Sequence, residues 1–161
     1  MPNWCSNSLT VSHKDPAMLA EFFEASQTDK LIEHYIPFPN GEWDYNWCVE
    51  NWGTKWDVTD QFSELQSDSV CCGFMTAWSP PIRFFEKLVE LGFEVEVYYH
   101  EPGMSYAGNF TNEGDEYHEY DFSDPDWREK INDEIIIDML ESDYQSYLEY
   151  LEEDVDEEEG E

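Results

Sequence analysis

The 161-residue chain carries 39 Asp and Glu against 7 Lys and Arg, a formal net charge of −32. That charge disfavours direct binding to nucleic acid or anionic membranes, because Lys and Arg neutralising phosphate dominate such affinity. Its 7 Trp, 10 Tyr and 10 Phe set it apart from disordered acidic chains, which are poor in aromatics and cannot bury enough apolar area to fold. The length suits one domain with an appendage.

The elements follow in chain order. Asn7 to Ser12 reads as a strand with Leu9 and Val11 on one face. Asp15-Pro16 opens a helix as N-cap and first-turn proline, with Met18, Leu19, Phe22 and Phe23 at helical spacing. A long connection from Ser26 to about Gly53, with Pro37, Pro39 and Asn40-Gly41, has the length of a functional loop. Lys55 to Thr59 is the next strand. Val70 to Trp78 is a more apolar, central one, ended by Ser79-Pro80-Pro81. A helix over 81–91 carries Ile82, Phe85, Leu88 and Val89 and stops at Gly92. Phe93, Val95, Val97 and Tyr99 alternate with Glu94, Glu96 and Tyr98, a half-exposed strand. Ser105–Phe110 and Glu116–Phe122 form a hairpin around Asn112-Glu113-Gly114.

After Ser123-Asp124-Pro125 the expectation is two acidic amphipathic helices. The first has Trp127, Ile131, Ile135 and Met139 inward. The second is capped by Ser142-Asp143, with Tyr144, Tyr147, Leu148 and Leu151 inward. Glu152–Glu161 reads as a frayed end. The fold class is α+β: a ferredoxin-like split β-α-β antiparallel sheet with an added hairpin and C-terminal acidic helices. The division expected is a domain over residues 1–122 and an acidic helical extension over 123–161. The second sheet face would need cover from the Trp-rich loop or the C-terminal helices.

No long apolar stretch suggests a membrane span. The start, Met1-Pro2-Asn3-Trp4-Cys5, lacks a basic region followed by an apolar core. The expectation is therefore a cytoplasmic protein whose Cys5, Cys48, Cys71 and Cys72 stay reduced, as small buried hydrophobes.

Four segments resemble the YubB-type ferredoxin-like family of phages and plasmids: Pro2-Asn3-Trp4-Cys5-Ser6-Asn7, Trp47-Cys48-Val49-Glu50-Asn51-Trp52-Gly53-Thr54-Lys55-Trp56-Asp57, Thr76-Ala77-Trp78-Ser79-Pro80-Pro81 and Glu101-Pro102-Gly103. The resemblance covers about residues 1–122. It implies the ferredoxin-like fold, a mobile-element origin and a host-cytoplasmic location, and no established activity.

Two candidate sites compete. The first is acidic. From Glu113 onward, 49 residues hold 22 acids and 2 bases, and the acids interleave with apolar positions, so folding would fix them on an outer face. Asp115, Glu116, Glu119 and Asp121 on the hairpin, Asp126, Asp133, Glu134, Asp138 and Glu141 on the first helix, and Asp143, Glu149, Glu152 and Glu153 on the second could stand where phosphates sit. A helix rises about 1.5 Å per residue, and duplex DNA carries about one charge per 1.7 Å. The partner implied is a basic, nucleic-acid-binding host protein. Function reads as a non-enzymatic DNA-mimic inhibitor of host defence or repair. The bland reading is a solubilising face.

The second site is a pocket lined by Trp47, Trp52 and Trp56 with Asn51, Lys55 and Asp57 as polar anchors, a small-ligand or peptide module. Its bland counterpart is tryptophans covering the sheet. His34, His100 and His118 with Glu101 and Glu119 lack the spacing of a metal site, and no Gly-rich phosphate loop or GxSxG motif occurs. No metal, cofactor or catalytic residue is assigned. The oligomeric state is open, a dimer included.

Overall fold

The structure, a computed structural model, describes residues 3–159, with side chains through Glu157. It divides into two compact units, one ending at Tyr117 and one beginning at His118. The first unit runs β1 (Trp4–Ser12), α1 (Pro16–Ser26), α2 (Leu31–Tyr35), α3 (Tyr45–Asn51), β2 (Thr59–Leu65), β3 (Ser69–Ala77), α4 (Ile82–Glu90), β4 (Glu94–Glu101) and β5 (Tyr106–Thr111), with β6 (Gly114–Glu119) crossing the boundary. The six strands form one antiparallel sheet in the order β2-β3-β1-β4-β5-β6.

The central strands β1, β3 and β4 follow a period of two over most of their length. On β1, Cys5, Asn7, Leu9 and Val11 are buried and the residues between them are not. On β4, Val95, Val97 and Tyr99 are buried, and Glu94 and Glu96 are exposed. The buried side chains of β1, β3 and β4 meet Leu19, Phe22 and Ala25 of α1 and Phe84, Phe85 and Leu88 of α4 in one core. Burying each large side chain contributes about 1.5–3 kcal/mol. Asp15 caps α1 by accepting from the Ala17 N–H at 3.0 Å. Gly92 stops the chain beyond α4 at φ 95°.

Three expectations in this unit need correction. The long connection is not a loop: it holds α2 and α3. The cap of α2 comes from Asp57, whose carboxylate accepts the backbone N–H groups of Ile32 and Glu33, both at 2.9 Å. A cap 25 residues away leaves no local signal. The second strand is not Lys55–Thr59 but Thr59–Leu65. It lies at the sheet edge, with Phe62 and Leu65 exposed, so it lacks a clean alternation, and Asp60 at φ 52° bends its start. The Trp-rich segment packs largely away from the second sheet face, with Trp56 beside Trp4 as its contact toward it. Cys48 and Trp52 join the core beside α1 and α4.

The second unit starts in β6, passes a 3-10 turn over Trp127–Lys130 and ends in α5 (Glu134–Glu159). Here the expectation of two helices is overturned. Trp127–Lys130 is a single tight turn, and everything from Glu134 to Glu159 is one helix. Asp133 caps it, accepting from the Ile135 and Ile136 N–H groups at 2.9 and 3.3 Å. No Gly or Pro interrupts α5, and Ser142 and Asp143 are tolerated inside it; the Ser146 hydroxyl donates to the Ser142 carbonyl at 3.2 Å. That cap also resets the inward face: Ile136 and Leu140 are buried, and Ile135 is exposed. The frayed end expected from Glu152 is helical through Glu159; Gly160 and Glu161 lie outside the described residues. Phe122 sits at the centre of an aromatic cluster, 5.3 Å from Trp127, 5.4 Å from Tyr144 and 5.8 Å from Tyr147, ring centre to ring centre.

Candidate functional site

The acidic candidates divide by what their carboxylates do. Several serve the fold. Asp121 accepts the Ser123 hydroxyl and N–H at 2.6 and 2.9 Å, which holds its carboxyl below the ordinary range. Asp133 caps α5. Glu141 receives a bidentate pair from Arg128, whose Nη2 lies 2.8 Å from Oε2. That pairing holds the Glu141 carboxyl below its usual value. The Arg128 guanidinium also lies 4.7 Å from the Trp127 ring centre and 4.8 Å from that of Tyr144, so it pins the 3-10 turn to α5. Asp126 lies at the start of that turn and is exposed, and Asp143 is half-buried within α5. On β6, Asp115 accepts the Tyr99 hydroxyl at 2.7 Å, and Glu116 and Glu119 are exposed.

The remaining candidates belong to α5 and point to solvent: Glu134, Asp138, Glu149, Glu152 and Glu153 are all exposed, as are Asp154, Asp156 and Glu157 beyond them. At 3.6 residues per turn, Glu134, Asp138, Glu141, Glu149, Glu152 and Asp156 fall within about 80° of the helix circumference. They form a stripe along the helix, and the buried Ile136 and Leu140 lie away from it.

Of the tryptophan-segment candidates, Trp52 and Asp57 line one small cavity of about 200 Å³ with Phe38 and Trp43, while Trp47, Asn51, Lys55 and Trp56 are not among its lining residues. Trp52 is buried in the core and donates its indole N–H to the Ile36 carbonyl at 2.8 Å. Trp47 packs on Phe38 and Trp52, with ring centres 5.2 and 5.8 Å away. Asn51 donates to the Trp47 carbonyl within α3. Asp57 caps α2, and burial raises its carboxyl above the ordinary range although three backbone N–H groups pull the other way. Trp56 is exposed, 6.4 Å from Trp4, with the Lys55 ammonium 4.3 Å above its ring. These side chains hold the segment together.

A different set, which the residue patterns alone do not single out, gathers at one end of the sheet. Asn7, Thr76, His100 and Glu101 are buried polar residues. The Asn7 amide donates to Thr76 Oγ1 at 3.0 Å. Glu101 Oε1 accepts the Gly103 N–H at 2.8 Å, and Oε2 has no hydrogen-bond partner among the described residues. Burial, with the Glu101 charge nearby, pushes the Cys5 thiol up to about 12, so it is no thiolate nucleophile at neutral pH. Above this cluster opens a cleft of about 510 Å³, lined by Trp78, Tyr99, Met104, Tyr106, Asp115 and Tyr117 among others. All four resembling segments meet here. The Trp78 N–H donates to the Asn3 carbonyl at 2.8 Å, Thr54 to the Ala77 carbonyl at 2.9 Å, and Ser79 to the Gly53 carbonyl at 2.6 Å. The Asn3 side chain lies beside Gly103. Those segments are the signal the sequence offers for this site; their convergence needs the fold.

No helix among the described residues is long and apolar enough to cross a membrane. Compared with protein-family models, curated proteins and solved structures, the chain matches none.

Proposed function

We propose that this protein is a non-enzymatic nucleic-acid mimic of a phage or related mobile element, acting in the host cytoplasm. Its α5 would occupy the DNA-binding groove of a basic host defence or repair protein. One observation carries the reading: α5 is a single continuous helix in which 12 of 26 residues are Asp or Glu and none is Lys or Arg. At about 1.5 Å per residue that averages one carboxylate per roughly 3.3 Å of axis, counting all faces of the helix, a mean charge density close to the roughly 3.4 Å per phosphate of one DNA strand. A loose acidic tail has the charge without the fixed spacing. Such an array would steer a basic partner at long range, with capture that weakens as salt rises.

The first unit fits the ferredoxin-like arrangement, since β4-β1-β3-β2 with two crossing helices is the order that β-α-β-β-α-β produces. The convergence of the four resembling segments on one end of the sheet supports membership in the YubB-type family. The solubilising alternative makes a different prediction. Neutralising the stripe by Glu134→Gln, Asp138→Asn, Glu149→Gln, Glu152→Gln and Asp156→Asn would leave partner capture unchanged if the acids only solubilise. It would abolish capture if they mimic phosphates.

A further inference from the structure

We propose that the aromatic cleft of the first unit is a binding site for an organic cation, an alkylammonium or guanidinium group such as a Lys or Arg side chain presents. The exposed rings of Trp78 and Tyr117 open into it, above the buried rings of Tyr99 and Tyr106. Tyr106 lies 5.1 Å from Tyr117 and 6.2 Å from Tyr99, ring centre to ring centre. Trp78, Tyr117 and Met104 are 46%, 50% and 59% exposed, a concentration of bare apolar surface that marks an interaction site. Trp78 sits at φ 70°, a region that bulky residues rarely adopt unless their surroundings hold them there. Its backbone is held from both sides: the N–H donates to Asn3, and the carbonyl accepts the Tyr106 hydroxyl at 2.6 Å.

The polar groups decide the sign of the ligand. The Tyr99 hydroxyl donates to Asp115 and that of Tyr106 to the Trp78 carbonyl, so neither proton is offered to an anion. The cleft instead presents the exposed rings of Trp78 and Tyr117 and the Asp115 carboxylate. Arg83, which also lines the cleft, is exposed and paired with Glu86 of its own helix at 3.4 Å. Ring faces beside a carboxylate attract cations, and the volume lies in the range of small-ligand sites. The lining residues all belong to the first unit, and the test uses no DNA-binding partner, so either proposal can fail alone.

The test is a titration of the full chain in about 150 mM salt, near physiological ionic strength, following tryptophan fluorescence and amide NMR shifts. The probes are N-acetyl-lysine methylamide, its trimethylated form, the arginine analogue, a short Lys-containing peptide, choline, a neutral tert-butyl isostere of choline, and acetate. The expected result is saturable binding of the cations, with shifts confined to the cleft. The neutral isostere and acetate should bind at least ~10-fold more weakly. Tyr117→Ala should weaken binding ~5- to 10-fold and Asp115→Asn ~5-fold. The amide oxygen that Asp115→Asn leaves in place can still accept the Tyr99 proton. Tighter binding of the peptide than of choline identifies a protein side chain as the ligand; the reverse identifies a small free amine. Equal binding of the neutral isostere overturns the proposal. So do preference for acetate, or non-saturable shifts spread over the acidic surface and unchanged in Tyr117→Ala, a substitution at an exposed position that spares the core.

Discussion

At the residue scale, Asp57 shows how a carboxylate that looks like a ligand anchor can be a structural element. It joins the start of α2 to the strand entry by accepting from Ile32, Glu33 and Val58, the last at 2.8 Å. Losing it leaves three backbone donors without their acceptor, so Asp57→Ala should cost about 1–3 kcal/mol in urea unfolding. A pocket anchor would instead leave stability nearly unchanged. Gly108 is a second such position. A Cβ there would lie 2.2 Å from the Tyr99 ring and hydroxyl and 2.6 Å from the Glu116 carbonyl. Gly108→Ala should therefore destabilise by about 1–3 kcal/mol. It should also displace Tyr99 from Asp115, read as loss of protection of the Tyr99 hydroxyl proton.

At the scale of elements, legibility depends on whether the deciding contact is local. β4 can be read from Phe93 to Tyr99 because burial and alternation coincide there, and α1 because Asp15 sits next to the helix it caps. α2 is hidden because its cap is Asp57. Reading Ser142-Asp143 as a cap splits α5 in two; a helix without Gly or Pro carries such residues when its flanks hold it. The cleft is illegible because Trp78, Tyr99, Tyr106 and Tyr117 come from β3's exit, β4, β5 and β6. Within the second unit, the Arg128–Glu141 pair makes a pH prediction. Glu141's folded pKa is depressed by Arg128. Its contribution is thus present above the ordinary carboxylate pKa and lost as pH falls through the lower folded value. In thermal melts at neutral pH, Glu141→Gln should be less stable than the parent, and the gap should close in that acid window. A constant gap would mean the pair contributes no charge term.

At the scale of the whole molecule, 39 acids against 7 bases add self-repulsion to the chain entropy that opposes folding. Raising salt from about 20 to 300 mM shortens the screening length from roughly 20 Å to 6 Å. The melting temperature should rise by several degrees over that range. Helicity in the last turns of α5, acidic and without a base to oppose the helix dipole, should rise with it.

The same array is the proposed working surface. The most direct test is capture from host lysate by the intact protein, followed by elution with duplex DNA and with increasing salt. Wild-type protein should retain a DNA-binding host protein that duplex DNA displaces and that about 0.5 M salt releases. The variant neutralised at Glu134, Asp138, Glu149, Glu152 and Asp156 should retain none of it. Retention that ignores DNA and salt, or that survives neutralisation of the α5 stripe, would contradict mimicry.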